Sequence, residues 1–345
     1  MPAKPSYSIK RSYHWWLLMT KISWENGIVV RVDDHSIILD PIKGIGSADC
    51  AFISHAHMDH TGAFTDTKKT KYSTPETIAL FETVSQKRVR NAVPCTYDKP
   101  MQYHQAELKI IKSGHVFGSG ALLLNGENVT FLYTGDFNFT DSLTQKAIAP
   151  RECDVLVIET TYGRPDYVFP RREDVYDIVA DWAARAIMDG ELPIVLVYPV
   201  GKAQEVTKLF NLFTSIPVVT HPSITRTNST VNEYGGDLVY YDLAKEGEEL
   251  IKSKSCVCLF PTSFNTRALK MIYPDASVAT VTGWALTYGR HGADSSFVLS
   301  SHADYPQLLR FVKECKPKKV YTVHGFADLF AEKLKREGID AKSLD

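Results

Sequence analysis

The chain has 345 residues, 44% of them hydrophobic and 23% charged, with a formal net charge of -1. That length accommodates two domains or one elaborated domain around a substantial core, and the composition excludes a disordered or low-complexity chain. The near-zero charge also excludes attraction of a polyanion by the molecule as a whole, so local groups must hold any such ligand.

The basic-then-apolar segment His14-Trp15-Trp16-Leu17-Leu18-Met19 is far shorter than the ~20 residues that span a bilayer. It also lacks a small-residue cleavage site. A packed N-terminal extension is expected, with translation from Met19 as the alternative to Met1, because a strand-like pattern begins soon afterwards. No other apolar run suits a membrane.

Several buried strands are expected to end in one chemically capable residue. Ser36-Ile37-Ile38-Leu39 ends in Asp40, and Ala51-Phe52-Ile53-Ser54 ends in His55. The second leads into His55-Ala56-His57-Met58-Asp59-His60. Side chains two apart on extended backbone share a side, so His55 and His57 can hold one ion together. Asp59 and His60 follow as the chain turns, suited to a second ion nearby. Imidazole with carboxylate favours Zn²⁺, with Mn²⁺ as the alternative. His115, in the glycine-flanked loop Ser113 to Gly120, supplies a third imidazole for the first ion. Asp136, after the strand Val129 to Tyr133, is placed to bridge both ions at the ~3.5–4 Å spacing of two-metal hydrolases.

Further on, Val155-Leu156-Val157-Ile158 ends in Glu159, Phe297 to Ser301 ends in His302, and Val320 to Val323 ends in His324. Such endings are how layered α/β proteins build sites. Between them the pattern changes. Arg172 to Met188 and Lys202 to Phe213 read as helices around the strand Ile194 to Tyr198. An inserted α/β domain is therefore expected over residues 165–282, within a domain formed by 1–164 and 283–345. Helices from Asp304 to Cys315 and Phe326 to Arg336 complete the outer layer. Six scattered cysteines without paired spacing point to reduced thiols in a cytoplasmic protein. Lys202, Arg88 and Arg90 are candidate phosphate contacts.

Asp40, His55-x-His57-x-Asp59-His60, His115 and Asp136 resemble the successive motifs of the metallo-β-lactamase superfamily. Glu159, His302 and His324, with Gly201-Lys202-Ala203-Gln204-Glu205 as a GRxQE-like element, resemble those of its β-CASP nuclease family. The resemblance implies an αββα sandwich with an inserted β-CASP domain, and a nuclease with two Zn²⁺ acting on single-stranded RNA or DNA. His55, His57, His115 and Asp136 would hold one ion; Asp59, His60, Asp136 and His324 would hold the other. Asp40 would orient a histidine. Asp59, His302 and Glu159 are the candidate catalytic residues, with His302 as general acid oriented by Glu159. His324 is the residue found in RNA-cleaving members and favours RNA processing of the mRNA 3′-end type. The C-terminal third is similar to DNA-ligase-associated exonucleases and favours DNA repair. A protein partner supplying specificity is expected. The competing functions are a small-molecule metallo-hydrolase, supported by the metal motifs alone, and a noncatalytic RNA-binding scaffold.

Overall fold

The computed structural model describes residues 22–344 except 33, 128, 290 and 291. The segment His14 to Met19 and the choice between Met1 and Met19 lie outside the described residues. Two sheets face each other. The first has six strands in the order Ile22–Trp24, Ile28–Val32, His35–Leu39, Cys50–Phe52, Thr70–Ser73 and Ala92–Pro94. The second has seven, running Ala341–Ser343, Lys319–Val323, Val155–Glu159, Thr130–Tyr133, Gly120–Asn125, Ala106–Lys112 and Met101–Tyr103.

The two-residue period of a strand decides what lies between and outside these sheets. Ile37, Leu39 and Phe52 of the first meet Leu108, Leu122, Tyr133 and Val157 of the second in a shared core. The alternate residues face outward. Ile38, Ala51 and Ile53 pack with Phe81 of the helix Pro75–Ser85. Leu132, Leu156 and Ile158 pack with Phe311 and Phe330 of the helices Tyr305–Cys315 and Ala327–Arg336. The result is the expected αββα sandwich.

Parallel pairing gathers the strand ends at one edge. Leu39 pairs with Phe52 in the first sheet. Tyr133 pairs with Val157 and Glu159 with Val323 in the second. Residues 40, 54–60, 134–136, 159 and 324 therefore emerge together.

The third sheet is parallel throughout, ordered Tyr241–Asp242, Val218–Thr220, Val257–Pro261, Leu192–Val197, Ala276–Val281 and Ser295–Phe297. The helices Arg172–Met188 and Lys202–Phe213 cover one face, and Thr266–Ile272 packs on the other. The return to the sandwich comes later than the expected 283, because Ser295 pairs with Ala279 as part of this sheet. Near that return the pattern is short and polar, and edge pairing rather than hydrophobic periodicity extends the domain. Where the insert meets the sandwich, Val116, Val200 and Val231 pack with Leu80. Gly201 sits there at φ +92°, and a Cβ on it would lie 2.3 Å from Val116. Only glycine suits both the conformation and the approach.

Candidate metal centre and active site

Four imidazoles at the edge of the sandwich each spend one ring nitrogen on a protein acceptor. His55 Nδ1 donates to Ser54 Oγ at 2.8 Å, and the Ser54 hydroxyl in turn donates to Asp40. His60 Nδ1 donates to Asp40 Oδ2 at 2.9 Å, and Tyr133 OH donates to the same oxygen at 2.7 Å. His115 Nδ1 donates to the Ser301 carbonyl at 3.0 Å, and His57 Nε2 to the Val200 carbonyl at 3.2 Å. These bonds set the tautomers and leave the other nitrogens turned toward one another.

The facing atoms are close. His57 Nδ1 is 3.0 Å from His55 Nε2 and 3.2 Å from His115 Nε2. Asp136 Oδ2 is 3.5 Å from His55 Nε2, 3.7 Å from His115 Nε2 and 3.5 Å from His60 Nε2. Tetrahedral zinc with ~2.0–2.1 Å bonds separates its ligands by about 3.3 Å. Uncompensated lone pairs at this spacing repel, and a cation at their centre removes the repulsion. A second group, His60, Asp136 and His324, also presents donor atoms within 4.8 Å of one another. The donor set thus fits metal binding, with Asp136 common to both groups.

Electrostatics agree. Burial, aided by the neighbouring imidazoles, holds His55 and His115 well below the ordinary histidine pKa, and burial lowers His57. All three are neutral and able to ligate. Burial opposes a charge on His60, yet Asp136 and Asp40 outweigh it and push its pKa up to about 10.

Beside this group, His302 Nδ1 donates to Glu159 Oε1 at 2.8 Å. Glu159 is fully buried and also accepts from the backbone N–H groups of Thr161 at 2.9 Å and Phe137 at 3.3 Å. The rings of His302 and His115 are 4.4 Å apart. His57, His60, His115, Asp136 and His302 border one open cleft of about 540 Å³ between sandwich and insert.

Residues 295–343 match the family model described as the Zn-dependent metallo-hydrolase RNA specificity domain. The chain is 33% identical over 306 residues to a probable DNA ligase of Opitutus terrae, a match covering 85% of this chain and 28% of that protein. It is 24% identical over 374 residues to an RNase J-like protein of Methanocaldococcus jannaschii, covering 90% of this chain and 86% of the relative. It is 23% identical to the chicken (Gallus gallus) 5′ exonuclease Apollo, covering 86% and 63%. These matches agree with the resemblance of the motifs to the β-CASP family of the metallo-β-lactamase superfamily. A crystal structure of a protein of unknown function from Enterococcus faecalis shares the fold, with a TM-score of 0.67 at 14% identity over 93% of this chain and 96% of that one.

Four residues expected to contribute to this site lie outside the donor groups. Asp59 borders the cleft, but its side chain is 78% exposed and its carboxylate stands 3.7 Å from His60 Nε2, outside the His60, Asp136 and His324 group. Lys202 also borders the cleft, yet its ammonium is buried against Glu205 Oε2 and Ser301 Oγ, each at 3.0 Å. Burial lowers its pKa to about 8 despite Glu205. The expected phosphate contact is instead an internal strut. Arg88 and Arg90 do not line the cleft, and Arg88 pairs with Glu82 at 2.8 Å.

Sequence reasoning missed the rest of that strut. Glu205 also accepts from Arg172 Nε at 2.9 Å and Tyr176 OH at 2.6 Å, while Arg172 Nη2 donates to the Ser300 carbonyl at 2.7 Å. A buried cluster of the insert thereby grips the loop carrying Ser301 and His302. Burial disfavours the Glu205 carboxylate, but Arg172 and Lys202 hold its pKa down to about 2. Breaking such a buried pair costs ~3–5 kcal/mol. Glu205→Gln is accordingly expected to lower the urea midpoint sharply, whereas Lys245→Gln on the surface should leave it in place. An unchanged midpoint for Glu205→Gln would show that the cluster contributes nothing to stability.

Proposed function

We propose that this protein is a dinuclear-zinc nuclease that hydrolyses phosphodiester bonds in single-stranded nucleic acid, with RNA favoured. The observation that carries the proposal is the convergence of four tautomer-locked imidazoles on Asp136, beside the His302–Glu159 pair, in one open cleft. His55, His57, His115 and Asp136 would hold one zinc. His60, Asp136 and His324, with Asp59, would hold the other. Bound zinc would lower the pKa of water and neutralise charge on the phosphoryl oxygens. Water adds to phosphorus, releasing a proton to solvent, as the bond to the leaving oxygen breaks and His302 Nε2 delivers a proton to that oxygen. Glu159 holds the ring in position and favours its protonated form.

RNA is supported by the match of residues 295–343 to a model described as an RNA specificity domain, and by the RNase J-like relative. DNA is the second reading, supported by the Opitutus terrae relative, whose name is that of a DNA ligase. The chain spans 28% of that relative's length, and a protein partner supplying specificity belongs to the same proposal. Six buried free cysteines support a cytoplasmic setting.

Matched RNA and DNA strands labelled at either end, with and without a blocked 5′ group, form the test. Faster RNA cleavage by zinc-loaded protein, abolished by chelator, is the expected result, and the ladder of labelled products separates exo from endo action. Cleavage of neither strand, alongside turnover of ester or lactam substrates, would replace the nuclease with a small-molecule hydrolase. Fewer than one zinc per chain with retained strand binding would replace it with a scaffold.

A further inference from the structure

The cleft is unusual for one that would take a polyanion. Lys202 is the lone Lys or Arg among the described residues lining it, and Glu205 already neutralises that ammonium at 3.0 Å. Backbone phosphates therefore find few free cations beyond the metal centre. Aromatic and apolar surface stands in their place. Tyr198, at the carboxyl end of the central insert strand Leu192–Val197, is 50% exposed, and its ring lies 6.5 Å from that of His57. On the His302 side the wall is Tyr162, whose ring is 5.8 Å from His302, with Trp284 packed on it at 4.7 Å. Trp284 is half-buried and braced by Tyr167 at 5.5 Å and Tyr288 at 5.7 Å. Gly283 lets it approach, since a Cβ there would lie 2.5 Å from the Tyr162 hydroxyl. A braced indole and an exposed phenol, one toward each side of the centre, suit planar, sequence-tolerant ligands next to a phosphate.

We propose that Tyr198 and Trp284 are stacking platforms for the unpaired nucleobases flanking the bond to be cut, so that strand affinity comes mainly from base faces. This rests on the nuclease reading and narrows its substrate to strands whose bases are unstacked at the cut site. Base-on-aromatic stacking is worth roughly a 5- to 100-fold change per base. The salt dependence of binding should be correspondingly shallow, because few counterions are released.

The test walks a single abasic residue through a labelled strand cut by the zinc-loaded protein. Sensitivity is expected at the positions flanking the cut, with kcat/KM falling roughly 5- to 100-fold. Tyr198→Ala should remove the penalty at one position and Trp284→Leu at the other, while Tyr198→Phe retains it. Anisotropy of a labelled strand on zinc-loaded His302→Ala protein reads the salt slope independently, and strand binding should quench Trp284 fluorescence. A flat abasic walk, or equal loss by Tyr198→Ala on intact and abasic strands, overturns the stacking proposal while leaving the nuclease in place. Failure to cut any strand counts against the nuclease reading instead.

Discussion

Zinc-loaded His302→Ala protein is expected to cleave a labelled strand about 10²- to 10⁴-fold more slowly than wild type, the usual contribution of a positioned proton donor. Its zinc content should not change. The distinction matters because Asp136, Glu159 and His302 also present donor atoms within 4.8 Å of one another, which alone would suit a metal. The 2.8 Å bond from Nδ1 to Glu159 argues for a proton donor, because it occupies one nitrogen and leaves Nε2 toward the cleft. Equal zinc loss in His302→Ala and Asp136→Ala would remove the general-acid role.

The same pair sets a pH signature. Burial works against the imidazolium, but the Glu159 carboxylate outweighs it and raises the His302 pKa above the ordinary histidine value. The donor form is complete below that pKa and is lost as pH rises through it, so kcat should fall on the alkaline side. Glu159→Gln removes the negative partner and lowers the His302 pKa. The alkaline limb of the profile should therefore move to lower pH. A limb that stays in place would show that Glu159 does not act through His302.

Asp136→Ala is expected to have the other large effect, on metal rather than on proton transfer. One oxygen, Oδ2, lies 3.5 Å from both His55 and His60 and 3.7 Å from His115, so its loss opens both donor groups together. Removing even an outer partner of a metal ligand costs 10–100-fold in affinity, and loss of a shared ligand should exceed that. Zinc at about 100 times its Kd adds ~2.7 kcal/mol to stability. The melting temperature of wild type should then drop on chelation, while that of Asp136→Ala should respond little. Full zinc content in the alanine variant, by elemental analysis, would exclude the bridging position.

What could be read from the residues was whatever a strand announces locally. A capable side chain after an apolar run gave away Asp40, His55, Glu159 and His324, because parallel pairing brings such ends to one edge. The helix bounds of Arg172–Met188 and Lys202–Phe213 followed from their periodicity. Tyr198 carries the same strand-end signal, and a search for aromatic as well as ionisable endings would have found it. Asp59 was harder, since its direction depends on a turn rather than on strand alternation. The Glu205 partners were out of reach, because pairing with Arg172 arises only when two helices of the insert pack together, and proximity to Ser301 only once the insert closes on the sandwich. The carbonyls of Val200 and Ser301 carry no residue signature.

His57 and the Val200 carbonyl that orients it are 143 positions apart, and the Ser301 carbonyl that orients His115 is 186 positions beyond it. During synthesis the histidine run leaves the ribosome well before either acceptor. A nascent or prematurely terminated chain therefore carries His57 and His115 with rings not yet aimed, and it lacks His302, the proposed proton donor. Under the proposed nuclease activity, that order of arrival delays the hazard to the message being translated until the polypeptide is nearly complete.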